Sequence, residues 1–507
     1  MKNFSPLDYL ANKVFTSRWS PLYQSGALAL FFLLVVVITG VYLLLFYDVG
    51  SPHESVQTIH GQVWLGRWIR SLHRYASDAA VVAIAFHILK MVTTGRTWGK
   101  RVRAWVSGWI LFLGITACGW TGFLLVWDVQ AQWLALEASR IVDVIPLFSA
   151  PLQRIFTTGE LPSSFFFSIL FLHVAVPLGL LALYLVHVSK VARPTHQPPR
   201  PMRLLALGGL VTISLLWPFG VEASADPTRL LGTVQIDLFF TALLPVFSKL
   251  PAWGVWLLTI FASLAVLVGV PLATRPKKKP EPSWVDWDLC TGCTTCYLDC
   301  PYEAISMVKR TGETAADSRR SEFVAQVNPD LCVSCGICAG SCAPMGVGPP
   351  GRTGRDQLLT VKKWFTENDP KNGLVVIACD KSFAELPEPN LYLVSCIGSL
   401  HTSVIEWLIR KGVAGVFVLS CPARDCHNRE GPKWANERIY ENREAELQER
   451  VDRRRVRVAA FAGTESIMAR IEIENFRNEL EQLKETPEEE SPDLDTECPE
   501  KILDEEI

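Results

Sequence analysis

The chain has 507 residues, too many for one hydrophobic core, so two or three domains are expected. Its formal net charge of −2 argues against a nucleic-acid binder, because phosphate contacts need a basic surface. Hydrophobic residues make up 49% but are unevenly placed: long apolar runs stop near residue 275, and soluble-type sequence with an acidic end follows.

In chain order, the first apolar run, residues 27–47, is too long for a signal-peptide core and lacks a small-residue cleavage site. It reads as a membrane-spanning helix, since ~20 residues cross a ~30 Å hydrocarbon core. Further spans are expected near 75–95, 105–125, 165–190, 203–220 and 252–273. The weaker run 236–250 holds Asp237, Pro245 and Lys249 and reads as an interfacial helix. Six spans put both chain ends on one side. The basic clusters Lys100, Arg101, Arg103; Lys190, Arg193, Arg200, Arg203; and Arg275, Lys277–Lys279 all fall there, so that side is cytoplasmic. The expected location is the inner (cytoplasmic) membrane of the cell, multi-pass. Residues 280–350 are cysteine-rich and short of long periodic elements. From 373 onward the runs 374–378, 391–395, 416–420 and 456–461 read as buried parallel strands, alternating with helices such as 402–411 and 434–452. The tail, 485–507, is rich in Glu, Asp and Pro and is expected to be disordered.

His73 and His87 lie fourteen residues apart on the second span, and His173 and His187 fourteen apart on the fourth. Fourteen residues is close to four helical turns, so each pair lies on one helix face, roughly 21 Å apart along the axis. Side by side, two such helices set His73 opposite His173 and His87 opposite His187, and each opposed pair suits one haem iron. Gly26 and Gly40 on the first span, and Gly108 and Gly122 on the third, repeat the spacing. Glycine there lets backbones approach a flat macrocycle. A lone intramembrane histidine is often only a packing residue, but four at matched spacing are not explained that way.

The segments WIRSLHRYASDAAVVAIAFHILK, GWTGFLLVWD and IPLFSAPLQRIFTTG resemble cytochrome b of the respiratory and photosynthetic cytochrome bc and bf complexes, over about residues 15–275. The resemblance implies that His73/His173 serve the haem at the positive side and His87/His187 the haem at the cytoplasmic side. Arg70 and Arg74 flank His73 and suit haem propionates, or are solvated interface arginines. The cysteine that holds an additional haem in the bf complexes has no counterpart near Gln24. Where the family has a Pro-Glu-Trp-Tyr motif, this chain reads Ile236-Asp237-Leu238-Phe239. Asp237 therefore stands in for the glutamate that accepts a proton during quinol oxidation, or is an interfacial acid with no quinone role.

Cys290, Cys293, Cys296 and Cys300 with Pro301 form C-x2-C-x2-C-x3-C-P, and Cys332, Cys335, Cys338 and Cys342 repeat the spacing. This is the bacterial two-cluster ferredoxin pattern, in which the fourth cysteine of each run ligates the other cubane. One cluster takes Cys290, Cys293, Cys296 and Cys342; the other takes Cys332, Cys335, Cys338 and Cys300. Zinc is the alternative, although zinc ribbons do not use eight cysteines so spaced. Cys379, Cys396, Cys421 and Cys426 follow the apolar runs of the α/β region, where carboxyl ends of strands converge. They are expected to hold a [2Fe–2S] cluster, with structural thiols or zinc as alternatives. The stretch GVAGVFVLSCPARDCHNREGP resembles the methyl-viologen-reducing hydrogenase delta subunit family, over about residues 373–480. His53, His60, His196, His401, Cys118 and Cys498 read as structural or incidental.

The expected architecture is multi-domain. It comprises an all-α transmembrane haem-binding bundle (1–275), a small α+β ferredoxin-like domain (280–350), an α/β parallel-sheet domain (370–484) and the tail. The expected function is a quinone-linked oxidoreductase subunit. It would pass electrons between membrane quinone and a cytoplasmic partner through two b haems, two [4Fe–4S] clusters and one [2Fe–2S] cluster. The resemblances imply a heterodisulfide-reductase-like flavoprotein, dehydrogenase or hydrogenase as partner, and a homodimer as in cytochrome bc complexes. The rival is a haem-containing anchor that wires a cytoplasmic enzyme without reacting with quinone.

Overall fold

The computed structural model describes residue 14 and residues 21–93, 95–98, 101–145, 151–157, 161–189, 196–229, 232–275, 280–311, 321–383, 386–423 and 426–485. Lys100, Lys190, Arg193, Lys277–Lys279, Cys498 and the tail beyond Glu485 lie outside the described residues.

The N-terminal half is built on α1 (Ser25–Phe46), α2 (Gly66–Thr93), α3 (Val102–Val126), α4 (Ser163–Ser189), α5 (Arg200–Leu216) and α6 (Ala252–Thr274). Among the described residues, five helices are long and apolar enough to cross a membrane. The sixth, α5, has 17 residues, or about 25 Å. It ends at Leu216 rather than near 220 because Pro218 follows Trp217, and a residue before proline is disfavoured in the helical region. It packs along α1 and α2 but is not among the five helices that are long enough to cross, against the six spans expected. Met202 packs with Leu28 and Ala83, Leu210 and Val211 pack with Val35 and Leu72, and the Trp217 carbonyl accepts from the Tyr75 hydroxyl at 2.8 Å. Large apolar side chains such as Ile38, Phe171, Leu185 and Phe261 are exposed without lining the cavity between these helices, the pattern that lipid solvates and water does not.

The segment 236–250 is a run of turns with a single helical turn, Leu244–Phe247, in place of the expected interfacial helix. The Asp237 carboxylate accepts from the backbone N–H of Phe239 (3.0 Å) and Phe240 (2.7 Å), which favours a turn over helix propagation.

The next module has two antiparallel ladders, β1 (Trp284–Val285) with β4 (Val347–Gly348) and β2 (Ile305–Lys309) with β3 (Phe323–Val327). The last module is a four-stranded parallel sheet in the order β6-β5-β7-β8, with β5 Leu374–Cys379, β6 Leu391–Val394, β7 Gly415–Ser420 and β8 Val456–Ala460. Alternating side chains fill both faces. Val375, Ile377, Val416 and Val418 pack on one side with Val404, Ile405 and Leu408 of the helix Thr402–Arg410. Val376, Ala378, Phe417 and Leu419 pack on the other with Ala469, Ile473, Phe476 and Leu480 of the helix Ser466–Glu485. Both faces are thus buried, which is why these strands read as unbroken apolar runs. The helix expected over 434–452 is instead Gly431–Tyr440. Asn442 (φ 51°) and Ala445 (φ 62°) adopt left-handed backbone that a helix cannot contain.

Candidate metal centres

α1 packs along α2 and α3 along α4, and a cavity of about 2600 Å³ lies between the two pairs. All four paired histidines line it. The rings of His73 and His173 face each other with centroids 6.5 Å apart. Two metal–imidazole bonds of about 2 Å plus the two half-widths of the rings fill that separation, so one metal ion fits between them.

Each histidine is aimed by its neighbours. His73 Nδ1 lies 3.0 Å from the Val36 carbonyl and 3.0 Å from Thr39 Oγ1, and His173 Nδ1 lies 3.0 Å from the Cys118 carbonyl and 3.0 Å from Thr121 Oγ1. A carbonyl only accepts, so Nδ1 carries the proton and the Nε2 lone pair is left free to bind a metal. Ser107 Oγ (3.0 Å) and Ser25 Oγ (3.5 Å) stand in the same relation to His187 and His87. These hydroxyls already donate to carbonyls of their own helices, such as Thr39 to Val35 (2.7 Å) and Ser107 to Arg103 (2.9 Å), so each accepts from the ring.

The glycines beside those hydroxyls clear room for the rings. A Cβ on Gly122 would lie 3.0 Å from His173 Cε1, on Gly26 3.0 Å from His87, on Gly40 3.2 Å from His73 and on Gly108 3.2 Å from His187. The glycine spacing therefore follows the histidines themselves as well as the cavity. Ser25, Thr39, Ser107 and Thr121 were missed in the sequence, where the signal that marks them is a Ser/Thr-Gly dipeptide recurring at each of the four positions. Gly122→Leu should push the His173 ring aside and lower haem absorbance per purified chain. Gly179→Leu, at a position with nothing within 4 Å of an added Cβ, should leave it unchanged.

In the soluble half, Cys290, Cys293, Cys296 and Cys342 line one small cavity roofed by Val285, Met307, Ala325 and Val347. Cys335 and Cys338 lie in the field of Cys300 and Cys332. Backbone N–H groups point at these sulfurs: Ser283 and Ser334 donate to Cys332 at 3.3 and 3.4 Å, and Ala304 to Cys300 at 3.3 Å. Such bonds stabilise thiolate ligands. Burial, then mutual proximity, pushes the thiols of Cys296, Cys335 and Cys338 up, Cys338 to about 12. A bound cation reverses that penalty.

At the carboxyl edge of the parallel sheet, Cys379 ends β5, Cys421 follows β7, and the four thiols join in a chain: Cys396 with Cys426, Cys426 with Cys421, Cys421 with Cys379. Cys426 accepts from Cys396 and Cys421 and from the backbone of Asn428 and Gly431, and these bonds hold it well below the ordinary thiol range. Among the described residues, no group of three or more His, Cys, Asp or Glu side chains is arranged to hold a single metal ion. Thiolates of a multi-iron cluster bind different irons and stand further apart, so this spacing does not oppose a cluster.

The family described as Cytochrome b/b6/petB matches residues 10–194, the 4Fe-4S dicluster domain matches 289–346, and the methyl-viologen-reducing hydrogenase, delta subunit, matches 379–484. The chain thus joins a region similar to cytochrome b to regions similar to iron–sulfur domains. The menaquinol:cytochrome c reductase cytochrome b subunit of Geobacillus thermodenitrificans is 26% identical over 180 residues, covering 34% of this chain and 79% of that one. Its Bacillus subtilis counterpart is 25% identical over 177 residues, covering 33% and 79%. The cytochrome bc1 complex cytochrome b subunit of Corynebacterium diphtheriae is 24% identical over 297 residues, covering 48% and 54%. The chain is thus a membrane electron-transfer subunit with b-type haem and iron–sulfur clusters.

In the cytochrome b region, Arg70 and Arg74 line the cavity at its His73/His173 end. Arg70 donates to the carbonyls of Phe219 and Gly220 (2.7 Å), and Arg74 pairs with Asp78 (2.8 Å) and Asp237. The buried Nε of each has no partner among the described residues. Two unpartnered cationic N–H groups beside a histidine pair fit the carboxylates of a haem. Asp237 is one-tenth exposed, and its oxygens are engaged by Arg74 and by the Phe239 and Phe240 N–H groups. Of the residues read as incidental, Cys118 bonds His173 through its carbonyl. His401 caps the helix that begins at Thr402 and lies 3.1 Å from the Cys342 carbonyl.

Proposed function

We propose that this cytochrome b fusion passes electrons between the membrane quinone pool and a cytoplasmic redox partner. The carriers are two b haems, at His73/His173 and His87/His187, together with two [4Fe–4S] clusters and a [2Fe–2S] cluster on the twelve cysteines of the C-terminal half. The observation that carries this reading is the cavity: it holds both histidine pairs and is also lined by residues of the iron–sulfur half, Tyr302, Cys332 and Cys426 among them. When bound, haems and clusters supply one-electron carriers; the chain's own residues orient the ligands and exclude water between them. The reading divides the chain into a membrane part (1–275), a ferredoxin part (280–350), a hydrogenase-delta-type part (370–484) and an acidic tail (485–507). The basic loops support a cytoplasmic position for the soluble parts, in the inner membrane. Relatives that carry menaquinol in their names support the quinone end. The hydrogenase-delta match supports a hydrogenase, dehydrogenase or heterodisulfide-reductase-like flavoprotein at the other end. A homodimer, as in cytochrome bc complexes, belongs to the same reading.

A second reading is a haem-bearing anchor that does not react with quinone. One observation favours it: Asp237, the carboxylate at the position of the quinol-oxidising glutamate, is held by Arg74 and two backbone amides. The test is to add short-chain ubiquinol and menaquinol analogues to the purified protein and follow the haem absorption bands. Haem reduction is expected. No reduction with either quinol, where dithionite does reduce the haems, would establish the anchor instead.

A further inference from the structure

Three parts of the chain meet at one residue. Tyr302, just after the last cysteine of the first ferredoxin motif, lies under Arg101 from the start of α3 (5.7 Å to the ring centre) and Arg429 from the parallel-sheet domain (5.9 Å). Its hydroxyl lies 3.5 Å from both the His427 carbonyl and Asn428 Oδ1. Arg96, in the turn after α2, donates to the same His427 carbonyl at 2.9 Å, and Arg429 donates to the Pro301 carbonyl at 3.1 Å. Thus the turn nine residues beyond His87 grips the residue next to Cys426.

The lining of the large cavity extends the point. It includes His87, His187, Arg96, Arg101 and Tyr302 together with Cys332 of the ferredoxin part and Cys421 and Cys426 of the parallel-sheet part. Cys290, Cys293, Cys296 and Cys342 do not line it; they surround their own separate cavity. A single-file route, from the bundle through both ferredoxin groups to the C-terminal group, does not match this layout.

Resting on the electron-transfer reading above, we propose that the His87/His187 end of the bundle is a fork. The Cys300/Cys332/Cys335/Cys338 group and the Cys379/Cys396/Cys421/Cys426 group each face it directly, and Arg96, Arg101, Tyr302 and Arg429 position both against it. With haem and clusters bound, one electron would pass between the haem held by His87/His187 and the cluster held by either cysteine group. One centre is oxidised as the other is reduced, and no proton moves and no bond breaks. The Cys290/Cys293/Cys296/Cys342 group is then a further station beyond the fork.

The experiment photoreduces the full-length holoprotein from the soluble side with a deazaflavin and follows haem absorbance in a single turnover. Cys421→Ser/Cys426→Ser removes one branch and Cys332→Ser/Cys335→Ser the other, with the clusters that remain counted by iron content and electron paramagnetic resonance. Either double variant should still reduce the haem, and the quadruple variant should not. Abolition by one double variant alone would show a single-file route, and full-rate reduction in the quadruple variant would place the junction elsewhere. Arg96→Ala leaves every ligand in place and should raise hydrogen–deuterium exchange at residues 427–430; unchanged exchange there would overturn the proposed grip. If clusters reduce haem by both branches while quinols do not, the quinone reading falls and the fork stands.

Discussion

His173→Ala is expected to lower the haem content of the protein. The 6.5 Å between the His73 and His173 rings is the span that two metal–nitrogen bonds would need, so removing one ring would leave a metal held there a single protein ligand. The supporting bonds go with it: the Cys118 carbonyl and the Thr121 hydroxyl lose the imidazole they orient, and the space beside Gly122 opens. Haem content per chain by pyridine haemochrome, together with reduced-minus-oxidised spectra, measures the effect. His196→Ala is the control, since His196 is exposed and bonds only Tyr184, at 2.8 Å, among the described residues. Unchanged haem content in His173→Ala would rule out the paired-histidine ligation.

Asp299→Ala should be the most damaging single change to the stability of the iron–sulfur half. Asp299 is fully buried next to Cys300 and accepts from Arg443 and, at 2.6 Å, from Ser341. Close by, Arg438 is also fully buried and feels its charge. Arg438 donates to the Trp434 carbonyl at 2.9 Å and the Gly398 carbonyl at 2.6 Å, between the Cys338 and Cys396 sites. Removing one member of a buried ion pair costs about 3–5 kcal/mol, because the partner keeps an uncompensated charge. Here the low end, about 3 kcal/mol, is expected, since Arg443 is a quarter exposed and retains Glu437 at 3.3 Å. The measurement is the urea midpoint at which cluster absorbance is lost from the holoprotein. Asp299→Asn, which keeps an acceptor for Ser341, should lose less; equal loss in both would assign the whole effect to charge.

Much of this was legible because chemistry imposes period on sequence. Histidines fourteen apart on two helices and glycines fourteen apart on two others share one cavity, and the strands with apolar residues at every position are those covered on both faces. What escaped was local and angular. The hydroxyls of Ser25, Thr39, Ser107 and Thr121 carry no hydropathic signal in an apolar helix, although each sits beside its glycine. The early end of the helix at Tyr440 depends on left-handed Asn442 and Ala445, a conformation that Ala445 gives no reason to expect. The meeting at Tyr302 joins residues from three modules, and no pattern within any one of them announces it.

The hydroxyl and carbonyl groups that aim the four imidazoles belong to the helices and not to anything bound between them. The bundle therefore works as a mould, with ring planes and lone pairs set by the fold. A mould of this kind accepts a guest by outline and by its appetite for two axial nitrogens. A guest whose centre needs no second nitrogen would leave one imidazole of each pair idle.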